Sequence, residues 1–216
     1  MKLQAEQMRL YAVTDRAWAA DEEAFWDQVR AAIAGGATMV QLREKHLAED
    51  AFLAEAERFV ALCREAGVIS IINDNVDIAV KTGADGVHVG QEDLAAGRAR
   101  QLLGPDKIIG VSCKTVEEAL KAQARGADYL GVGAVFPTDT KLDASEVSFD
   151  RLKEICAAVD IPVVAIGGIK TANVEQLAGS GIDGVAVVSA IFAQPDIEQA
   201  TRDLVEKVRP LVENRG

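Results

Sequence analysis

Apolar and polar positions along this chain repeat with two alternating periods. Short β-branched runs at 9–14, 38–42, 69–73, 86–90, 107–112, 129–136, 162–166 and 184–189 are apolar almost throughout, as strands are when both faces are buried. Between them lie stretches near 21–34, 49–66, 75–82, 93–103, 115–125, 149–159, 171–179 and 196–208, where apolar residues return at helical spacing. Gly35 and Gly36, Gly67, Gly83, Gly104, Gly126 and Gly181 stand where those helices should stop. Asp21 opens one helix with a capping side chain, and Thr115 with Glu118 opens another at capping-box spacing. Eight such strand–helix units in 216 residues predict one domain over 1–216, an α/β fold of the (β/α)8 TIM-barrel type. An open doubly wound sheet is the competing architecture, but no GxGxxG follows the first strand to favour it. The polar segment 137–148 is longer than an ordinary βα connection, and long loops at the C-terminal face of a barrel often carry function.

Composition narrows the class. The chain is 49% apolar but only 5% aromatic, the balance of a helix-covered parallel sheet. A net charge of −11 argues against a nucleic-acid partner and against an anionic membrane, since both call for a basic face. The cysteines, Cys63, Cys113 and Cys156, show no CxxC or Cys/His metal spacing, so reduced, structural thiols in a cytoplasmic protein are expected. The N-terminal run MKLQAEQMRLYAV has no apolar core of signal-peptide length, and no segment approaches a membrane span. No apolar helix stripe is clear enough to mark a homo-oligomer interface, although barrels often associate.

In a barrel the ligand sits where the strands finish, so candidate chemistry is sought there. Strand alternation puts Gln41, Arg43 and Lys45 on one face and Val40, Leu42 and Glu44 on the other. Two cations on one face at the end of a buried strand are costly unless anions meet them, although a strand end running out into water would also carry them. Gly167 and Gly168 after strand seven, with Ser189 after strand eight, suit a phosphate cradle completed by a following helix N-terminus. A tight turn alone would also use the two glycines. Asp74 and Asp93 follow neighbouring strands three and four, where two carboxylates can share one Mg2+ or simply cap helices. His88 points either into the barrel mouth or toward the helices, and a satisfied core histidine is the expected role. Thr138, Thr140 and Lys141 offer two hydroxyls and a cation on the long loop. The inventory lacks an obvious nucleophile–base pair, which suits charge stabilisation around phosphorylated small molecules better than acid–base work.

Taken in order, QLREK at 41–45, NDN at 73–75, GVHVGQED at 86–93, GVSCKT at 110–115, PTDTK at 137–141, AIGGI at 165–169 and VVSAI at 187–191 make the whole chain resemble the thiamine-phosphate synthase family. The resemblance implies a transferase that joins 4-amino-5-hydroxymethyl-2-methylpyrimidine diphosphate to 4-methyl-5-(2-phosphoethyl)thiazole, or its carboxylated form, and releases pyrophosphate. It implies that Gln41, Arg43, Lys45, Asn73, Ser112 and Lys141 hold the pyrimidine diphosphate, with Arg43, Lys45, Ser112 and Lys141 acting in catalysis. It further implies that Asp74 and Asp93 bind Mg2+, and that Thr138, Thr140, Gly168, Val188 and Ser189 hold the thiazole phosphate. Two positions depart from the family pattern: Lys114 stands where many relatives carry His, and Asn75 where many carry Asp. A thiazole tautomerase paralogue or a non-catalytic thiamine-phosphate-binding barrel would share the fold; neither would need this set of charges.

Overall fold

The computed structural model describes residues 3–91, 95–138 and 146–213. Its eight strands are β1 (Leu10–Val13), β2 (Met39–Leu42), β3 (Ile69–Asn73), β4 (Gly86–Val89), β5 (Ile108–Cys113), β6 (Tyr129–Gly133), β7 (Val163–Ile166) and β8 (Gly184–Val187). All are parallel and close into a barrel in sequence order, with β1 paired to β8. The helices are α1 (Glu22–Ala34), α2 (Glu49–Ala66), α3 (Val76–Thr82), α4 (Ala95–Leu103), α5 (Val116–Ala124), α6 (Phe149–Ala158), α7 (Ser189–Phe192) and α8 (Ile197–Glu213).

Strand alternation splits the core in two. Leu10, Val40, Leu42, Ile72, Val87, Ile109, Leu130 and Val185 face outward and pack under the helices with Phe25, Trp26, Phe59 and Leu204. Tyr11, Met39, Ile71, Ile108, Tyr129, Val164 and Ala186 face inward and fill the lumen, with Met8 buried among them. Each buried side chain of this size contributes about 1.5–3 kcal/mol, so both layers hold the barrel.

At the N-terminal ends of the strands a three-residue pattern recurs before every even strand: Gly36-Ala37-Thr38, Gly83-Ala84-Asp85, Gly126-Ala127-Asp128 and Gly181-Ile182-Asp183. In each case the third side chain accepts a hydrogen bond from a backbone N–H of the preceding odd strand. Leu10 N donates to Thr38 Oγ1 at 3.1 Å, Ser70 N to Asp85 Oδ2 at 2.9 Å, Ile109 N to Asp128 Oδ2 at 2.8 Å, and Val163 N to Asp183 Oδ2 at 2.8 Å. The barrel is therefore assembled from strand pairs stapled at one end. A carboxylate makes the stronger staple because its hydrogen bonds are charge-assisted.

The expected elements recur with local differences. The helix expected over 171–179 is instead a 3-10 turn at Val174–Leu177. Asn173 diverts the backbone there: its Oδ1 accepts from Lys170 N at 2.7 Å and its Nδ2 donates to Gly168 O at 2.9 Å, competing with helical pairing. The strand expected to reach 189 stops at Val187, and α7 starts at Ser189. The last helix runs past 208 to Glu213, with Pro210 in its final turn. At α5 the capping box is shifted: Thr115 Oγ1 accepts from Glu118 N at 3.2 Å, but Glu118 Oε2 accepts from Lys114 N at 2.6 Å. No described helix is long and apolar enough to cross a membrane.

Asp183 is only 6% exposed, so removing its carboxylate strands a buried N–H. Asp183→Ala should lower unfolding free energy by about 2–3 kcal/mol in urea denaturation; an unchanged midpoint would remove the staple from the list of things that hold the barrel.

Candidate active site

The end of β2 is tied to β1 before any charge appears. Thr14, fully buried, donates its N–H to Gln41 O at 3.0 Å, and its Oγ1 accepts from Arg43 N at 3.1 Å. Gln41 enters the lumen and is buried. Glu44 turns the other way, as the alternation requires, and accepts from Arg16 Nε at 2.7 Å. Arg16 also pairs with Glu55 of α2 and lies 4.4 Å from the centroid of the Phe25 ring. Burial pushes the Glu44 carboxyl upward, with Arg16 pulling against it. Arg43 is half-buried, its Nη1 3.8 Å from Asp15 Oδ2. Lys45 is exposed and has no salt-bridge partner among the described residues. The two cations are thus differently restrained: Arg43 has an anion beside it, and Lys45 is available to a ligand.

At the end of β3, Asp74 has a φ of 59° and is the one described non-glycine residue in the left-handed region. That conformation costs an L-residue about 1–2 kcal/mol. Its N–H donates to His88 O at 2.8 Å, and its Oδ2 accepts from Asn73 Nδ2 at 2.7 Å. Helix capping falls to the next residue, where Asn75 Oδ1 accepts from Ile78 N at 3.0 Å. The Asp74 carboxylate is exposed and takes no part in the cap. Asp93, its expected partner, lies outside the described residues, and no described cluster of three His, Cys, Asp or Glu side chains could hold a metal.

Across the barrel, β7 ends in Gly167 and Gly168, with φ of 96° and 66°. A Cβ on Gly168 would lie 2.4 Å from Pro137 O, and one on Gly167 2.5 Å from Ala134 Cβ, so only glycine fits either place. Val135 N donates to Ile166 O at 3.0 Å and Phe136 N to Gly167 O at 3.1 Å, which zips the segment after β6 onto β7. Pro137, the residue before Thr138, is thereby brought against Gly168. With a 3-10 turn rather than an α-helix after β7, the expected helix dipole is missing there, and the backbone of the glycine turn stands in its place. After β8, Val188 packs against the luminal cluster and stands at the N-cap of α7, whose first turn has no side-chain cap. Thr140 and Lys141 lie outside the described residues. The described ends of the long connection meet, with Val147 N donating to Ala134 O at 2.7 Å.

Between these halves the lumen carries polar side chains that strand periodicity alone leaves among the core. Gln41 Nε2 donates to the Tyr11 hydroxyl at 2.5 Å, and the Tyr11 and Tyr129 hydroxyls are 2.9 Å apart. His88 reaches the Tyr129 hydroxyl through Nδ1 at 2.9 Å and Ser112 Oγ through Nε2 at 2.9 Å. His88 therefore points into the mouth rather than toward the helices. Burial is the main cause raising both tyrosine hydroxyls well above their ordinary range. Gln91 Nε2 donates to Ser112 O. Lys114 binds Glu118 through its backbone N–H. Burial pushes the Cys113 thiol up to about 12, in keeping with a structural role. The signal for Tyr11 and Tyr129 was their parity: each stands on the same strand face as its inward-facing neighbours, with a hydroxyl that must find a partner when buried.

A closed parallel barrel with cations, amides and a glycine turn at its C-terminal strand ends defines the class, a (β/α)8 barrel enzyme. Residues 10–191 match the family model described as "Thiamine monophosphate synthase", and the chain belongs to that family. It is 45% identical over 212 residues to a thiamine-phosphate synthase of Lacticaseibacillus paracasei, covering 98% of this chain and 99% of that one. It is 50% identical over 196 residues to the chloroplastic thiamine biosynthetic bifunctional enzyme TH1 of Arabidopsis thaliana, covering 88% of this chain but 37% of the plant protein. The solved thiamine phosphate pyrophosphorylase from Pyrococcus furiosus superposes with a TM-score of 0.87 at 38% identity, covering 96% of this chain and 98% of that one.

Because Asn75 is engaged as a helix cap, an Asp in its place should change stability little. Asn75→Asp should leave thermal stability within a few tenths of a kcal/mol, whereas Asn75→Ala should cost about 1 kcal/mol; a large gain in metal-dependent stability for Asn75→Asp would instead make this position a ligand.

Proposed function

We propose that this chain is a thiamine-phosphate synthase, joining the pyrimidine diphosphate to the thiazole phosphate with loss of pyrophosphate. The observation that carries the reading is the division of the mouth. Side chains that can meet a diphosphate, Gln41, Arg43, Lys45, Asn73 and Ser112, stand at β2, β3 and β5. Across the barrel, the Gly167–Gly168 turn, Thr138, Val188 and Ser189 present backbone and hydroxyl donors for a separate monophosphate. Two phosphorylated reactants held apart at one mouth suit a substitution driven by positioning.

The proposed chemistry is dissociative. The bond from the pyrimidinylmethyl carbon to the diphosphate oxygen breaks first, its electron pair leaving with pyrophosphate. The resonance-stabilised pyrimidine cation is then captured by the thiazole ring nitrogen. Arg43 and Lys45, with Lys141, would stabilise charge gathering on the departing pyrophosphate, a role that needs no proton transfer. Ser112 would hydrogen-bond the same group. Asp74 fits Mg2+ in chemistry, being an exposed, hard carboxylate excused from capping, and Asp93 would be its partner. The ion, when bound, would supply further charge neutralisation to the diphosphate.

The direct test follows thiamine monophosphate by fluorescence after oxidation to thiochrome, with both substrates supplied and Mg2+ present or chelated. Product that requires both substrates and the metal is expected, and its absence from folded protein would sink the reading. Lys45→Ala should lower kcat roughly 100-fold while the KM for the thiazole phosphate stays within about twofold; an unchanged kcat would take Lys45 out of the charge-stabilising set.

A further inference from the structure

The luminal hydrogen bonds run unbroken across five strands, from Gln41 of β2 through Tyr11 of β1, Tyr129 of β6 and His88 of β4 to Ser112 of β5. Space is made for the rings. A Cβ on Gly110 would lie 2.1 Å from Tyr129 Cζ, and one on Gly131 would lie 3.0 Å from His88 Cε1. A polar line of this length, buried at Gln41, Tyr11 and Tyr129 and part-buried at His88 and Ser112, is costly unless its members are satisfied, and donor counts along it favour one proton order.

Gln41 presents an amide N–H, so Tyr11 oxygen accepts there. The single proton of Tyr11 then has Tyr129 oxygen as its partner in the line. Tyr129 accepts that proton and directs its own at His88 Nδ1. An Nδ1 that accepts leaves the imidazole proton on Nε2, which donates to Ser112 Oγ. With that lone pair of Ser112 occupied, the hydroxyl proton is turned away from His88. Burial raises both tyrosine hydroxyls, so each has its proton to place along the line.

We propose that Tyr11, Tyr129 and His88 are positioning residues that fix the Nε2–H tautomer of His88 and thereby make Ser112 an obligatory hydrogen-bond donor toward the mouth. The consequence rests on the synthase reading only for the identity of the acceptor, a diphosphate oxygen. Such an oxygen accepts and does not donate, so a hydroxyl whose proton is kept from its neighbours is the matching group. The line also joins Gln41 to Ser112, two residues otherwise separated by the width of the lumen.

The test has a spectroscopic arm and a binding arm. The chain has two histidines, and His46 is exposed, so a His46→Ala variant assigns the His88 signal. Long-range 1H–15N correlation in the full-length, ligand-free protein should show the His88 proton on Nε2. Tyr129→Phe should lose that preference and weaken binding of inorganic pyrophosphate, measured by calorimetry with Mg2+ present, about tenfold. His88→Gln, whose amide can accept from Tyr129 and donate to Ser112, should keep pyrophosphate affinity within about threefold, and His88→Leu should not. A proton on Nδ1, or a Tyr129→Phe protein with unchanged tautomer, would overturn the proton order. A lost tautomer with unchanged pyrophosphate affinity would overturn the role assigned to Ser112. Failure of the synthase reading shows separately, as no thiamine monophosphate from a protein whose tautomer result stands.

Discussion

Everything at the mouth of this barrel depends on a hydrogen bond repeated at its other end. A parallel sheet gives no tight turns between neighbours, so register must be set by something other than a hairpin. Here a side chain just before each even strand captures an N–H of the odd strand beside it, through Thr38, Asp85, Asp128 and Asp183. With the start of each pair fixed, the ends are fixed too, since a slip of one residue would exchange inward and outward faces. Gln41, His88 and Ser112 reach the lumen because the register holds; so do the apolar residues that fill the rest of it.

The mouth shows a division of labour between rigid and exposed groups. Gln41 and Ser112 belong to a luminal line of hydrogen bonds, and Arg43 is braced by the Thr14 hydroxyl and Asp15. Lys45 and Asp74 are exposed, and Asp74 holds a backbone conformation that an L-residue adopts at a cost. Strain kept at an exposed carboxylate, while the adjacent Asn75 performs the cap, is the pattern expected where a position serves something other than stability. Tertiary constraint is concentrated on Gln41, Ser112 and Arg43, and the side chains of Lys45 and Asp74 are left exposed.

Much of this was legible in the chain. The strands announce themselves as near-continuous apolar runs, and the Gln41-to-Lys45 alternation survives into the structure through Gln41 and Glu44, which take opposite sides. Legibility fails where a side chain competes with the backbone. Asn173 breaks the pattern expected of a helix over 171–179, and a single-sequence period cannot weigh one amide against several helical bonds. Asn75 and Asp74 are both good caps by type, and only the chain path decides between them. Tyr11 and Tyr129 read as core because periodicity counts a tyrosine ring and ignores where its hydroxyl goes. The glycine-led triplets ending in Thr or Asp before the even strands are visible as letters, yet their meaning needs the neighbouring strand, which is distant in sequence.

The contact between Val147 N and Ala134 O bears on how this mouth can change over evolutionary time. It pins the two feet of the connection between β6 and α6, so α6 is delivered to the barrel regardless of what the intervening chain does. Lengthening a segment whose ends are already joined costs little, about 0.6 kcal/mol for each doubling. Thr138 stands at one foot and Lys141 within the span, so residues there can be inserted, deleted or exchanged without renegotiating the barrel. Variation in ligand chemistry within such a scaffold has an inexpensive place to occur, and the cost of trying a new loop is separated from the cost of folding.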